Sequence, residues 1–138
     1  MADKNEQPSV IGEENKEYMR AAEVGDLEAV KRLLEDPRVD PRVMYDHALR
    51  MAACHGHLPV VEFLLQLKEA PGGRPGPDPT TFDNYALKFA LGGNYLAVAR
   101  CLLGDERVLG AIEEGQREYY RLMACGHDIH DGVRMYRL

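Results

Sequence analysis

Three stretches of fourteen residues align along this chain without a gap: Ala21-Ala-Glu-Val-Gly-Asp-Leu-Glu-Ala-Val-Lys-Arg-Leu-Leu34, Ala52-Ala-Cys-His-Gly-His-Leu-Pro-Val-Val-Glu-Phe-Leu-Leu65 and Ala90-Leu-Gly-Gly-Asn-Tyr-Leu-Ala-Val-Ala-Arg-Cys-Leu-Leu103. Leu27, Leu58 and Leu96 are equivalent, so the periods are 58 − 27 = 31 and 96 − 58 = 38. Self-similarity at this spacing restricts the fold severely, because each copy is one small unit that must bury its apolar side against the next. Asp40-Pro41 and Asp78-Pro79 also align, each at the same distance before the central Leu of its unit (Leu58 and Leu96). The seven extra residues of the longer period therefore fall between Leu65 and Asp78. That stretch contains Ala70-Pro-Gly-Gly-Arg-Pro-Gly-Pro77, a composition that holds neither helix nor strand. The insertion over 69–77 has two readings. It is a tolerated surface loop, since doubling a loop costs only about 0.6 kcal/mol, or a finger extended towards a partner, since long loops in compact domains are often functional.

The period suits two helices per unit. In the first, Tyr18/Ala21/Ala22, Leu49/Ala52/Ala53 and Leu87/Ala90/Leu91 fall at i, i+3, i+4, an apolar stripe whose alanines bring a neighbour close. Asn15, Asp46 and Asn84 share one upstream position, where each side chain is placed to accept from a helix's first free amides. Gly25, Gly56 and Asn94 share another, the residues that best tolerate the left-handed conformation ending a helix. The second helix carries Leu27/Val30/Leu33/Leu34, Leu58/Val61/Leu64/Leu65 and Leu96/Ala99/Leu102/Leu103 as its buried stripe. Pro59 is harmless in a first turn, where its missing amide has no partner. One such hairpin cannot bury both stripes, so stacking copies make an all-α solenoid.

A fainter fourth unit follows. Asp105-Glu-Arg-Val108 echoes Asp36-Pro-Arg-Val39, and Ala124-Cys-Gly-His127 echoes Cys54-His-Gly-His57. Its last segment, 128–138, carries charges and a Gly where the stripe belongs, which reads as a polar cap. The expected division is a disordered tail over 1–12 and one repeat domain over 13–138. Its units run about 13–41, 42–79 and 80–110, with the cap at 111–138.

These residues resemble the ankyrin repeat, whose copies run about 33 residues as a turn plus two helices. Ala-Ala-x-x-Gly-His-Leu-x-Val-Val-x-x-Leu-Leu at 52–65 carries the resemblance most specifically, and it extends over roughly 15–127. The Thr-Pro-Leu-His box is missing; Ala48-Leu-Arg-Met-Ala52 and Ala86-Leu-Lys-Phe-Ala90 stand there, and Asp-Pro-Arg-Val-Asp-Pro replaces the usual connector. That variation resembles divergent ankyrin proteins of amoebae, other protists and large DNA viruses. The resemblance implies a non-enzymatic module that binds another protein through the concave side of the array. Carried over by position, that side includes Lys16, Arg20, Glu23 and Val24 of the first unit. The second contributes Val43, Met44, Tyr45, His47, Met51, Cys54 and His55. The third contributes Thr81, Phe82, Tyr85, Lys88, Gly92 and Gly93. Met44, Tyr45, His47, Met51, His55, Phe82, Tyr85 and Lys88 are the candidate partner-binding residues.

The remaining chemistry is sparse. Lys+Arg 17 against Asp+Glu 23 leaves a net charge of −6, a poor match for nucleic-acid phosphates. No apolar run approaches the roughly 20 residues of a membrane span, and Met1-Ala-Asp-Lys-Asn-Glu-Gln-Pro8 lacks the regions of a secretory signal. Cys54, Cys101 and Cys125 are odd in number without framework spacing, so a reducing, cytoplasmic setting is expected. Cys54-His-x-His57 and Cys125-x-His127-x-x-His130 contain zinc-ligand types. They lie two units apart, however, near 20 Å for helices packed about 8–10 Å from one another, against zinc bonds of about 2 Å. His127-Asp128-Ile-His130-Asp131 pairs imidazole with carboxylate, as acid–base work requires, but also suits a polar cap. Tyr119-Tyr120 is either an interface anchor or a packed pair. No nucleophile elbow, Walker loop or dinucleotide fingerprint is present. The expectation is no cofactor, no metal, no catalytic residue, no nucleic-acid or membrane partner, and a monomer, with self-association of an incompletely capped array as the alternative.

Overall fold

The computed structural model describes residues 12–125, so residues 1–11 of the expected tail and the 126–138 part of the expected cap lie outside it. Three helical hairpins follow one another: α1 (Glu13–Val24) with α2 (Leu27–Leu34), α3 (Val43–Cys54) with α4 (Leu58–Gln66), and α5 (Thr81–Gly92) with α6 (Leu96–Leu103). Two strands, β1 (Glu69–Ala70) and β2 (Arg74–Pro75), lie between α4 and α5, and α7 (Glu106–Gly110) and α8 (Glu114–Ala124) complete the order. Helices α1, α3 and α5 stack as one layer and α2, α4 and α6 as a second, with α8 seated on α6.

The core lies between the layers and follows the repeated stripes. Tyr18, Ala22, Leu49, Ala52, Ala53, Leu87 and Ala90 are fully buried, as are Val30, Val61, Leu64, Ala99 and Leu102. Each large side chain removed from water in this way contributes about 1.5–3 kcal/mol. Leu27, Leu58 and Leu96, the most recognisable repeat positions, are only half-buried at the rim. Each hairpin turns at a left-handed residue: Gly25 (φ 83°), Gly56 (φ 76°) and Asn94 (φ 65°). The glycines have a second reason. A Cβ on Gly25 would strike the His57 ring and one on Gly56 the Tyr95 ring, because each unit lays its aromatic side chain on the turn before it. The His57 ring is held there by Nε2, 2.8 Å from the Glu23 carbonyl oxygen.

The shared Asn/Asp position differs from the expected helix cap. Residues Gly12, Arg42 and Thr80 stand at the helix starts, with no side-chain cap bond. Asn15 instead reaches past α2 to the connector that leads into the second unit, where Oδ1 accepts from the Asp40 amide at 2.8 Å and Nδ2 donates to the Arg38 carbonyl at 3.1 Å. Asp46 repeats this one unit on: Oδ1 accepts from the Asp78 amide at 2.9 Å, and Oδ2 accepts from the Thr81 hydroxyl. Tyr18 adds a third bridge, donating to the Pro41 carbonyl at 3.0 Å. At the third copy the series stops. The Asn84 side chain is buried, and its Oδ1 has no hydrogen-bond partner among the described residues. Beyond α6 the Asp105-Glu-Arg-Val108 stretch turns into α7, in place of the extended Asp-Pro connector that brings an amide to Asn15 and Asp46.

The 69–77 insertion corrects the expectation of a strandless segment: Glu69 pairs with Pro75 and Ala70 with Arg74, antiparallel. Arg74 folds back on the first unit, donating to the carbonyls of Leu34 (2.7 Å), Asp36 (3.1 Å) and Val39, and to Pro71 of its own turn (2.9 Å). It thereby satisfies acceptors that a helix end leaves orphaned. Arg42 donates to the Gly76 carbonyl at 2.7 Å, and Arg107 to the carbonyls of Leu65 (3.1 Å) and Pro77 (3.2 Å). The insertion is a strap across the units, with its Pro71–Gly73 tip exposed.

Two outcomes follow from the joints. Gly56→Ala places a Cβ at positive φ and against Tyr95, so it should cost about 2 kcal/mol or more in urea denaturation. Gly115→Ala, where a Cβ meets nothing, should be neutral or stabilising by up to about 1 kcal/mol. Burial holds the Asp46 carboxyl above the usual carboxylate range, against the opposing bonds from Thr81 and Asp78. A raised folded pKa means that this group's contribution is greatest at low pH and is lost as pH rises through the folded value. Asp46→Asn should therefore gain on the wild type between about pH 4 and pH 7, read as urea midpoints across that range; a constant difference would refute the assignment.

Candidate functional site

Three exposed apolar side chains, Met44, Tyr45 and Phe82, lie where α3 and α5 begin. Three consecutive residues there adopt the left-handed conformation in each unit: Met44 (φ 55°), Tyr45 (57°) and Asp46 (61°), then Phe82 (57°), Asp83 (56°) and Asn84 (60°). None is glycine, and each such residue costs about 1–2 kcal/mol. Surrounding bonds hold both turns. The Asp46 amide donates to the Arg42 carbonyl at 3.1 Å and the Asn84 amide to that of Thr80 at 2.9 Å. Arg50, one turn into α3, donates to the carbonyls of Tyr45 (2.9 Å) and Met44 (3.0 Å). Lys88, its equivalent in α5, donates instead to the Asp83 carboxylate at 2.8 Å, and that bond raises the Lys88 pKa.

The turns display Met44 (48% exposed), Tyr45 (68%) and Phe82 (54%) to solvent. The Tyr45 and Phe82 rings lie 5.4 Å apart across the unit boundary, Phe82 meets Tyr85 edge-on at 6.5 Å, and Tyr85 stacks on Phe89 at 4.1 Å. The Arg50 guanidinium sits 4.9 Å from both the Phe82 and Tyr85 centroids. A planar cation between two rings gains from both ring faces. The result is an aromatic track, Tyr45–Phe82–Tyr85–Phe89, pinned by one arginine.

Of the candidate residues, Tyr45, Phe82 and Tyr85 belong to this track, and Met44 borders it through its carbonyl bond to Arg50. His47 is half-buried; burial lowers its pKa, the Arg50 charge lowers it further, and Glu23 opposes. His55 stands apart at the far end of α3, its Nδ1 2.9 Å from the half-buried Met51's carbonyl and its ring 6.2 Å from that of His57. Two members went unrecognised in the sequence. Phe89 is the third-unit equivalent of Met51, and Arg50 the second-unit equivalent of Lys88, so strict use of the repeat register finds both.

Other candidates contribute little. No group of three His, Cys, Asp or Glu residues suited to a metal occurs among the described residues. Of the C-terminal cluster only Cys125 is described; His127, Asp128, His130 and Asp131 lie outside. Tyr120 packs on the core while Tyr119 is exposed. Cys101 is half-buried, and burial pushes its thiol up, away from the reactive thiolate. Among the described residues no helix is long and apolar enough to cross a membrane.

The comparisons agree with this architecture. The family model "Ankyrin repeats (3 copies)" matches residues 18–111. The chain belongs to the ankyrin-repeat family. No curated protein and no solved structure matches it. Ankyrin repeats generally mediate protein–protein interaction and are typically non-enzymatic.

The strained turns generate a prediction. Glycine at Tyr45 relieves the left-handed penalty, so Tyr45→Gly should hold or raise stability by up to about 1 kcal/mol despite the added chain entropy. A loss above that size in urea denaturation would show that the Tyr45 ring, not its backbone, sets the local energy.

Proposed function

We propose that this ankyrin protein is a non-enzymatic, cofactor-free binding module that engages a partner protein through the concave face of its array. Met44, Tyr45, His47, Met51, His55, Phe82, Tyr85 and Lys88 form the contact surface, with Arg50 and Phe89 completing it. The observation that supports this reading is the exposed aromatic track on two strained turns. Backbone strain persists only where its surroundings over-determine it, and it clusters at functional positions. Folding alone does not call for Met44, Tyr45 and Phe82 in solvent at left-handed φ. Tyr, Phe, Met and Arg are the residue types enriched in protein interfaces, and a few such anchors carry most of the binding energy. Rings already packed on one another and on Arg50 lose little freedom on association, which lowers the cost of binding. In this reading the module acts as a cytoplasmic monomer, its domain spanning 13–138, and neither nucleic acid nor membrane is its target.

The test is a pull-down from lysate of the source cell or its host, comparing the wild type with Phe82→Ala/Tyr85→Ala and identifying captured proteins by mass spectrometry. The expected outcome is a protein enriched by the wild type and lost with the variant, at unchanged helicity by circular dichroism and a near-unchanged melting temperature. Equal capture by both proteins would remove the surface assignment. Light scattering over a wide concentration range should show a monomer.

A further inference from the structure

Gly92 has no role in the fold. It ends α5 with right-handed backbone, the left-handed turn being made two residues later by Asn94 at φ 65°. A Cβ built on Gly92 meets nothing within 4 Å, whereas one on neighbouring Gly93 would strike Tyr95. A helical glycine costs about 1 kcal/mol relative to alanine, and here neither conformation nor packing repays it. The equivalent positions hold Glu23 and Cys54. An open hollow of about 430 Å³ lies beside Gly92, bounded by Cys54, Lys88, Phe89, Gly92 and Gly93. Phe89 is both its wall and the end of the aromatic track, stacked on Tyr85 at 4.1 Å.

The charges beside the hollow differ from those of the whole chain. Across the second and third units this face carries the Arg50 and Lys88 cations against one exposed carboxylate, Asp83, which Lys88 holds, so the exposed charges leave a net positive patch. Glu23 lies a unit away, towards His47. A locally cationic face on a chain of net charge −6 selects acidic ligands.

We infer that the hollow at Gly92 is a socket that receives one bulky apolar side chain from an acidic segment of the partner protein. The inference rests on the concave-face reading above and deepens it: the track aligns the segment, Lys88 and Arg50 attract its carboxylates, and the socket buries its anchor.

The experiment is selection of a phage-displayed random peptide library on the immobilised full chain, followed by binding of synthesised winners to three variants. Gly92→Leu fills the socket, Gly115→Leu is a remote control, and Phe82→Ala/Tyr85→Ala disrupts the track; circular dichroism checks that each folds. The expected winners carry a bulky apolar residue flanked by Asp or Glu, bind Gly92→Leu at least about tenfold more weakly, and bind Gly115→Leu as the wild type. Winners that bind Gly92→Leu normally but lose Phe82→Ala/Tyr85→Ala overturn the socket and leave the face. Winners indifferent to both overturn both. An absence of enriched peptides, or winners without acidic residues, overturns the proposed occupant. A concentration-dependent dimer abolished by Gly92→Leu would assign the socket to a second copy of the chain and overturn it likewise.

Discussion

Each unit of this solenoid is completed by the next, and the joints between them are the constraint on which the structure depends. The side chain at the Asn15/Asp46 position accepts a hydrogen bond from the backbone amide of an Asp in the connector to the following unit, Asp40 or Asp78. The side chains of His57 and Tyr95 lie on glycine turns of the preceding unit. These contacts give backbone groups of the turns and connectors side-chain partners from a separate part of the chain. They explain why the hairpins stack in one register, where apolar stripes alone would tolerate sliding. The same logic marks where the regular array ends. Asn84 keeps the joint residue, α7 replaces the connector, and a buried acceptor remains without a partner among the described residues.

The insertion belongs to this system of joints. Lengthening a loop costs little, but Arg74 makes the added residues structural by donating to carbonyls of the first unit. Arg107 performs a similar service for the second, reaching Leu65 and Pro77. Two arginines thus close the second-layer helix ends of consecutive units, one from the strap and one from α7.

Stability gathered at the joints supports strain at the tips. Six left-handed non-glycine residues, three in each of two units, are tolerated because Arg50, Lys88 and the cross-unit bonds of Asp46 hold their turns. The same arginine that anchors one turn packs between the rings of Phe82 and Tyr85. Holding the turn and assembling the track are one arrangement, so neither varies alone.

Local pattern determined much of this protein. Period, apolar spacing, turn residues and the position of the insertion were all legible, because helices bury i, i+3, i+4 stripes and turn at residues that accept positive φ. So was the family. The tertiary structure alone decided the partners of polar side chains. Asn15 and Asp46 read as helix caps, yet bond to the connectors that lead into the next units, since a cap and a connector acceptor require the same residue types. It also decided that Arg74 is a clamp, that Arg50 joins the aromatic rings, and that the space at Gly92 is empty. Each depends on atoms brought together from separate units of the chain or on the volume left between them, and no local periodicity encodes either.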